Sequence, residues 1–393
     1  MTADSRSVTI AYDVVVPPGP ADPLSFQIDR SAVASLDAGA LPVGGETIVA
    51  PGDGQGGGAP TLDLDGQPAA APGQHRLTIP IPGGLTLNPE HPYVLAVADP
   101  AAALASGDPH ATASFRTFVV GVLTHGGLQD KHAKGAPLWE RAMAGALRRE
   151  GYDAVIPFNW VSSSSHPGAA AQEGLRLARR IRDVVGQFPA ADPVDLHLIG
   201  HSEGAVVNTV ALGRLSTQTP PQIRAGYVED TLLDPHAANN RFSGQQYGVE
   251  RGPLGWLAQA LIRGYQAQAG DPLVKIPPIV DDAQVFYERS PAWRSHGVNG
   301  DIYNLWGEVP VRGPAHYFNL TADGVTHSGR TGIVRWYWRN VVPLLGDGAP
   351  QVQARVLTGA PSPAVPASGR RAGSEWVTET HRPIYSEIGR AHV

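Results

Sequence analysis

A serine hydroxyl attacks at neutral pH only when a base takes its proton and an acid orients that base. The 393-residue chain holds one stretch suited to that task, Val194-Asp195-Leu196-His197-Leu198-Ile199-Gly200-His201-Ser202-Glu203-Gly204-Ala205-Val206-Val207. It reads as an apolar strand, a turn with a serine between two glycines, and the start of an apolar helix. Gly-x-Ser-x-Gly at a strand-to-helix corner is a nucleophile elbow. Side chains at 200 and 204 would collide with the neighbouring strand and helix. Ser202 is therefore expected in a strained backbone conformation with its oxygen raised above the sheet. The dipole of the following helix favours negative charge at that oxygen. A chain with 46 glycines can match five positions by chance. The apolar strand before the corner and the Ala- and Val-rich stretch after it distinguish this match.

The base is chosen among several histidines. His327 lies in Asp323-Gly324-Val325-Thr326-His327-Ser328-Gly329, a turn after the last strand and before the final helix. The order nucleophile, acid, histidine puts the base there. His316, in the more apolar Ala315-His316-Tyr317-Phe318, reads as a packed histidine. Asp234 is the favoured acid because it ends an apolar strand, at the sheet edge where catalytic groups gather. Pro235 is expected to hold it in extended geometry. Asp281, Asp282 and Glu308 stay open as alternatives, and Asp234 could simply begin a turn before proline. Attack on a carbonyl also requires two donors for the oxyanion, and the amide of Glu203, following the nucleophile, is one candidate.

These residues need elements to carry them. From Arg116 onward strands and helices alternate: strand Phe118 to Leu123, helix Pro137 to Glu150, strand Ala154 to Phe158, helix Ala169 to Gln187, then the elbow. Strands at Ile223 to Leu233, Gln284 to Arg289 and Ile302 to Trp306, a loop carrying His316 and His327, and a helix at Ile333 to Val342 complete the series. The rhythm predicts an α/β fold, a mostly parallel sheet with helices on both faces, over residues 117–345. Residues from about 237 to 283 interrupt it as an insertion. Within it Leu254, Trp256, Leu257, Leu261 and Ile262 read either as a lid over the site or as ordinary core. Residues 1–116 show only short strand candidates, at Ser7 to Val16, Thr47 to Ala50, His75 to Ile81 and Tyr93 to Ala98, and predict a small all-β sandwich. Gly52 to Gly58 is a loop tip with no strand-to-helix frame for phosphate binding. Residues 346–393 are rich in Pro, Ala and Gly and read as a disordered tail. Ile388 to Val393 back-translate into a common sequencing-adapter sequence, so the last residues are expected to be read-through.

Gly200-His201-Ser202-Glu203-Gly204 resembles the lipase and esterase form of the α/β-hydrolase elbow. His125-Gly126-Gly127 after the Phe118 strand is similar to the His-Gly loop of pancreatic-type lipases, and Leu233-Asp234-Pro235 resembles their acid segment. The resemblance spans about residues 117 to 342 and implies an α/β-hydrolase fold with Ser202, His327 and Asp234 as a triad. It implies Gly127 as the second oxyanion donor, although glycines would equally serve a plain β-to-α turn. His125 is expected to prop that loop. The chain lacks the cysteines of secreted animal lipases, and its insertion matches nothing familiar. Leu87 to Pro100 with Ala111 to Phe115 is similar to bacterial adhesion-type immunoglobulin-like modules, which implies attachment to a surface or polymer. The expected activity is carboxylic-ester hydrolysis on an ester or lipid substrate. Thioester, peptide or acyl-transfer chemistry, or a non-catalytic adhesion module, are the alternatives.

A net charge of −6 gives no basic footprint for nucleic acid. The absence of cysteine removes disulfides, thiol catalysis and thiolate metal sites. No His-Glu-x-x-His or other compact ligand cluster points to a metal, and no cofactor is expected. No apolar run approaches the ~20 residues that span a bilayer. The resemblances lean toward a secreted or cell-surface protein, although Met1 to Arg6 shows no signal-peptide pattern.

Overall fold

The computed structural model describes residues 2–4, 6–15, 23–49, 59–99, 112–127, 138–160, 168–235, 271–288, 311, 313–320, 323–327 and 332–347. They form two compact units. The first comprises residues 1–119 with 188–195 and 221–227, and the second 120–187, 196–220 and 228–393.

Seven strands come first: β1 (Thr2–Asp4), β2 (Ser7–Val14), β3 (Ser25–Ser31), β4 (Leu41–Thr47), β5 (Gly73–Pro80), β6 (Tyr93–Ala98) and β7 (Thr112–Arg116). They build two sheets, in the orders β1-β2-β5 and β4-β3-β6-β7, with antiparallel pairing throughout. Alternation along β2 and β5 turns one face inward. Val8 and Ile10 of β2 and Leu77 and Ile79 of β5 meet Phe26 and Ile28 of β3 and Val94 and Ala96 of β6 in one apolar cluster. The strand expected at Thr47 to Ala50 lies instead at Leu41–Thr47. Its register is set by pairing with β3, from Ser25 opposite Thr47 to Arg30 opposite Leu41, which overrides the higher local β-propensity of Ile48 and Val49.

Beyond β7 the chain alternates β8 (Phe118–Thr124), α1 (Leu138–Arg149), β9 (Ala154–Phe158), α2 (Ala169–Val185), β10 (Val194–His201) and α3 (Gly204–Thr217). There follow a short α4 (Pro221–Ala225), β11 (Val228–Leu233), β12 (Asp282–Tyr287), β13 (His316–Asn319), α5 (Ile333–Asn340) and a 3-10 turn (Val342–Asp347). Strands β8 to β13 form one six-stranded sheet in the order β13-β12-β11-β10-β8-β9. The pairs β8–β9, β10–β11, β11–β12 and β12–β13 are parallel. Every residue of β10, β11 and β12 is buried, as expected of parallel strands covered on both faces. Helix α1 packs through a stripe at Glu140, Met143, Ala144 and Leu147, and α2 through Leu177, Ala178, Ile181, Val184 and Val185, the spacing of one helical face.

Two further expectations change. The strand read over Ile223 to Leu233 begins only at Val228, because Pro221 suits the first position of a helical turn and α4 occupies residues 221–225. His316 belongs to a strand rather than a loop, since Tyr317 and Phe318 are buried and pair in register with Val285 and Phe286. The candidate strand Ile302 to Trp306, Trp256 and its neighbours at 236–270, and residues 348–393 lie outside the described residues. Among the described residues no helix is long and apolar enough to cross a membrane.

Candidate active site

The corner after β10 is tight. Ser202 adopts φ 55, and its amide donates to the carbonyl of Leu233 at 3.0 Å, extending the β10–β11 ladder one step past the strand. A Cβ at Gly204 would run into the carbonyl oxygens of Thr124 and His125. Only glycine lets α3 start so close to the end of β8. Thr124 is tied to the same helix by its hydroxyl, which donates to Asn208 Oδ1 at 2.6 Å. Ser202 is 6 % exposed, at a helix N-terminus where backbone N–H groups favour an anion.

Asp234 follows β11 directly, and its amide donates to Phe286 O at 2.7 Å. Its φ is 46, left-handed rather than the extended geometry that Pro235 led us to expect. Aspartate tolerates this region better than most residues, and the bond to Phe286 fixes it there. The Asp234 carboxylate meets His327: Nδ1–H donates to Oδ2 at 2.6 Å, with both side chains at most 2 % exposed. That bond leaves Nε2 of His327 as the ring's basic nitrogen. His327 is delivered by a loop anchored to α5, where Ile333 N–H donates to Thr326 O at 2.8 Å.

The other acids and histidines are engaged elsewhere. Asp281 Oδ2 accepts the Val228 amide at 2.9 Å. Asp282 accepts from Gln284 and lies 3.3 Å from His316 Nε2, whose side chain is 34 % exposed. Glu308 lies outside the described residues.

The His125-Gly126-Gly127 loop lies beside the serine. A Cβ at Gly126 would come 2.8 Å from Ser202 Cβ and 3.2 Å from its Oγ. His125 uses both ring nitrogens structurally. Nδ1–H donates to Gly126 O at 2.7 Å, and Nε2 accepts the Trp160 amide at 3.1 Å. Trp160 returns an indole N–H to the His125 carbonyl at 2.8 Å and stacks on the imidazole. Burial pulls the His125 ring down to about 4, so it stays neutral at physiological pH.

The sequence reading missed three groups here. His201 Nε2–H donates to the backbone oxygen of His327 at 3.0 Å. Trp139 sets its ring edge-on to His201, with centroids 6.5 Å apart. Glu140 is fully buried, and its carboxyl is pushed up to about 9 by burial, with the His125 backbone pulling the other way. Neither aromatic spacing nor charge pattern singles these residues out, because the fold alone makes them neighbours. Among the described residues no group of three or more His, Asp or Glu could hold a metal ion.

No family model matches the chain, and no curated protein matches it. Among solved structures, an esterase from the archaeon Pyrobaculum calidifontis is 15 % identical, with a TM-score of 0.33 over 68 % of this chain and 82 % of that one. The NocB thioesterase domain from the nocardicin cluster is 14 % identical, with a TM-score of 0.27 over 61 % of this chain and 94 % of that one. The functional reading of the site rests on its own geometry.

Proposed function

We propose that the chain is a serine hydrolase of the α/β-hydrolase type that cleaves carboxylic esters through an acyl-enzyme. The observation that carries this reading is the 2.6 Å bond from His327 Nδ1 to Asp234 Oδ2, beside a serine held at φ 55. A buried carboxylate on Nδ1 stabilises the imidazolium that forms when Nε2 takes the Ser202 proton. Ser202 Oγ then attacks the ester carbonyl, and the amides of Glu203 and Gly127 receive the oxyanion. His327 returns the proton to the leaving alkoxide. Water, deprotonated by the same imidazole, attacks the acyl-enzyme and releases acid and serine. The N-terminal strands are read, by their resemblance, as an immunoglobulin-like sandwich that attaches the enzyme to a surface or polymer.

A series of p-nitrophenyl esters of increasing chain length tests the chemistry, with a fluorophosphonate probe reporting the nucleophile. Wild type should hydrolyse at least part of the series and be labelled at Ser202. Ser202→Ala and Asp234→Asn should each lower turnover by about 10⁴-fold at neutral pH while leaving the melting temperature close to wild type. Near wild-type hydrolysis by Ser202→Ala would refute the reading.

A further inference from the structure

Resting on the serine-hydrolase reading, we propose that His201 is a positioning residue: by donating Nε2–H to the His327 carbonyl, it holds the loop that carries the base. His201 is the last residue of β10, adjacent to Ser202, yet 126 positions from His327. Its side chain is 3 % exposed. A carbonyl can only accept, so the 3.0 Å contact places the His201 proton on Nε2. The two imidazoles are also in tilted contact, with centroids 4.7 Å apart and planes inclined by 36°.

Asp234 cannot do this work by itself. Its bond fixes one ring nitrogen of His327, but the position of the ring also depends on the backbone that bears it. Two consecutive carbonyls of that backbone are tied down. Thr326 O accepts from Ile333 N–H at 2.8 Å, and His327 O accepts from His201. The first tie leads to α5, and the second leads to the residue next to the nucleophile. His201 therefore references the base directly to the serine it must deprotonate. Trp139 braces the imidazole edge-on. A Cβ at Gly126 would meet both Ser202 Cβ, at 2.8 Å, and His201 Nδ1, at 3.4 Å. One ring thus abuts the elbow, the glycine loop, α1 and the base-bearing loop.

Filling space does not require a polar ring here, whereas the buried carbonyl requires an N–H donor. An apolar ring of similar size would keep the ring contact and leave that carbonyl without this donor. The test compares His201→Phe, which keeps a ring but no donor, with His201→Gln, whose amide N–H restores one. Turnover, KM, melting temperature and the low-field proton resonance of the His327–Asp234 bond are followed in each. His201→Phe should lower kcat between about 10- and 100-fold with KM nearly unchanged and broaden that resonance. His201→Gln should recover most of both. An unchanged kcat and resonance in His201→Phe would overturn the proposal. So would equal losses in both variants that track a lowered melting temperature, because packing alone would then explain them. Activity persisting in Ser202→Ala would fail the hydrolase reading itself, through a different variant, and remove the basis for this one.

Discussion

Ser202 and Asp234 both carry non-glycine side chains at positive φ, 55 and 46. Such conformations cost on the order of 1–3 kcal/mol each and persist only when surroundings over-determine them. Here each is locked by an amide bond onto the next strand of the sheet, Ser202 to Leu233 and Asp234 to Phe286. Of the two, Asp234 meets His327 directly, at 2.6 Å from Oδ2 to Nδ1. Glu140 shows another local cost. Its folded carboxyl titrates near pH 9 against an ordinary value of 4.5. The raised value means that the folded state holds the proton longer than the unfolded state. Stability on this account is undiminished below about pH 4.5, falls as pH rises toward 9, and levels off above that. At pH 7 the penalty is on the order of 3–4 kcal/mol, from roughly 2.5 pH units at about 1.4 kcal/mol each. Glu140→Gln should flatten that slope in urea unfolding measured from pH 5 to 9. Parallel slopes for wild type and variant would show that Glu140 ionises freely in the fold.

At the scale of elements, the site depends on how closely α3 and the loop after β8 approach each other. Gly204 makes that approach sterically feasible, since any Cβ there strikes the Thr124 and His125 carbonyls. Gly204→Ala should force α3 outward, costing about 1–3 kcal/mol by overpacking and moving the Ser202 corner with it. Fluorophosphonate labelling should then slow more than the stability loss explains. Wild-type labelling together with a wild-type melting temperature would mean that the helix start has room to spare. Strands β10 and β11 carry a buried polar seam. His197 bonds to Tyr152 and Thr231 and lies 3.4 Å from Glu229. Burial pulls His197 down to about 3 and pushes Asp230, on the same strand as Glu229, up to about 8. These groups are therefore neutral at pH 7, which is what lets charged residue types occupy strands covered on both faces.

Across the whole molecule, the first compact unit gathers segments distant in sequence around one buried guanidinium. Arg30 donates to Thr117 Oγ1 at 2.9 Å and Thr86 O at 2.8 Å, and lies 3.8 Å from Asp195 Oδ2. Asp195 in turn accepts the Tyr227 amide at 2.9 Å. Residues 188–195 and 221–227 thus belong to the same unit as residues 1–119. Arg30→Met should destabilise the protein by about 3–5 kcal/mol, because it removes the counter-charge of a buried carboxylate. Adding Asp195→Asn should return part of that loss, a non-additivity that a double-mutant cycle in denaturant measures. Strictly additive losses would mean that the two charges do not interact. The same geometry predicts that a chain cut after residue 116 loses stability, since the cut removes the cation facing Asp195.

What the sequence determined by itself was local. Gly200 to Gly204 declares its corner because a tight strand-to-helix turn admits few residue types, and β10 and α2 declare themselves through period and length. Asp234 and His327 were legible as candidates because each ends or follows an element in the order such chemistry needs. Their 2.6 Å bond belongs to the tertiary structure, since 93 residues separate them and no local pattern encodes a distance. The backbone at Asp234 went against its own neighbour, as the Phe286 carbonyl outweighed the preference that Pro235 imposes. His316 read as loop because four residues are too few for a period, and only pairing with β12 made them a strand. Arg30, Glu140 and His201 were silent in sequence for one reason. A buried polar side chain gains its role from partners brought by other segments, and those partners exist only once the chain has folded.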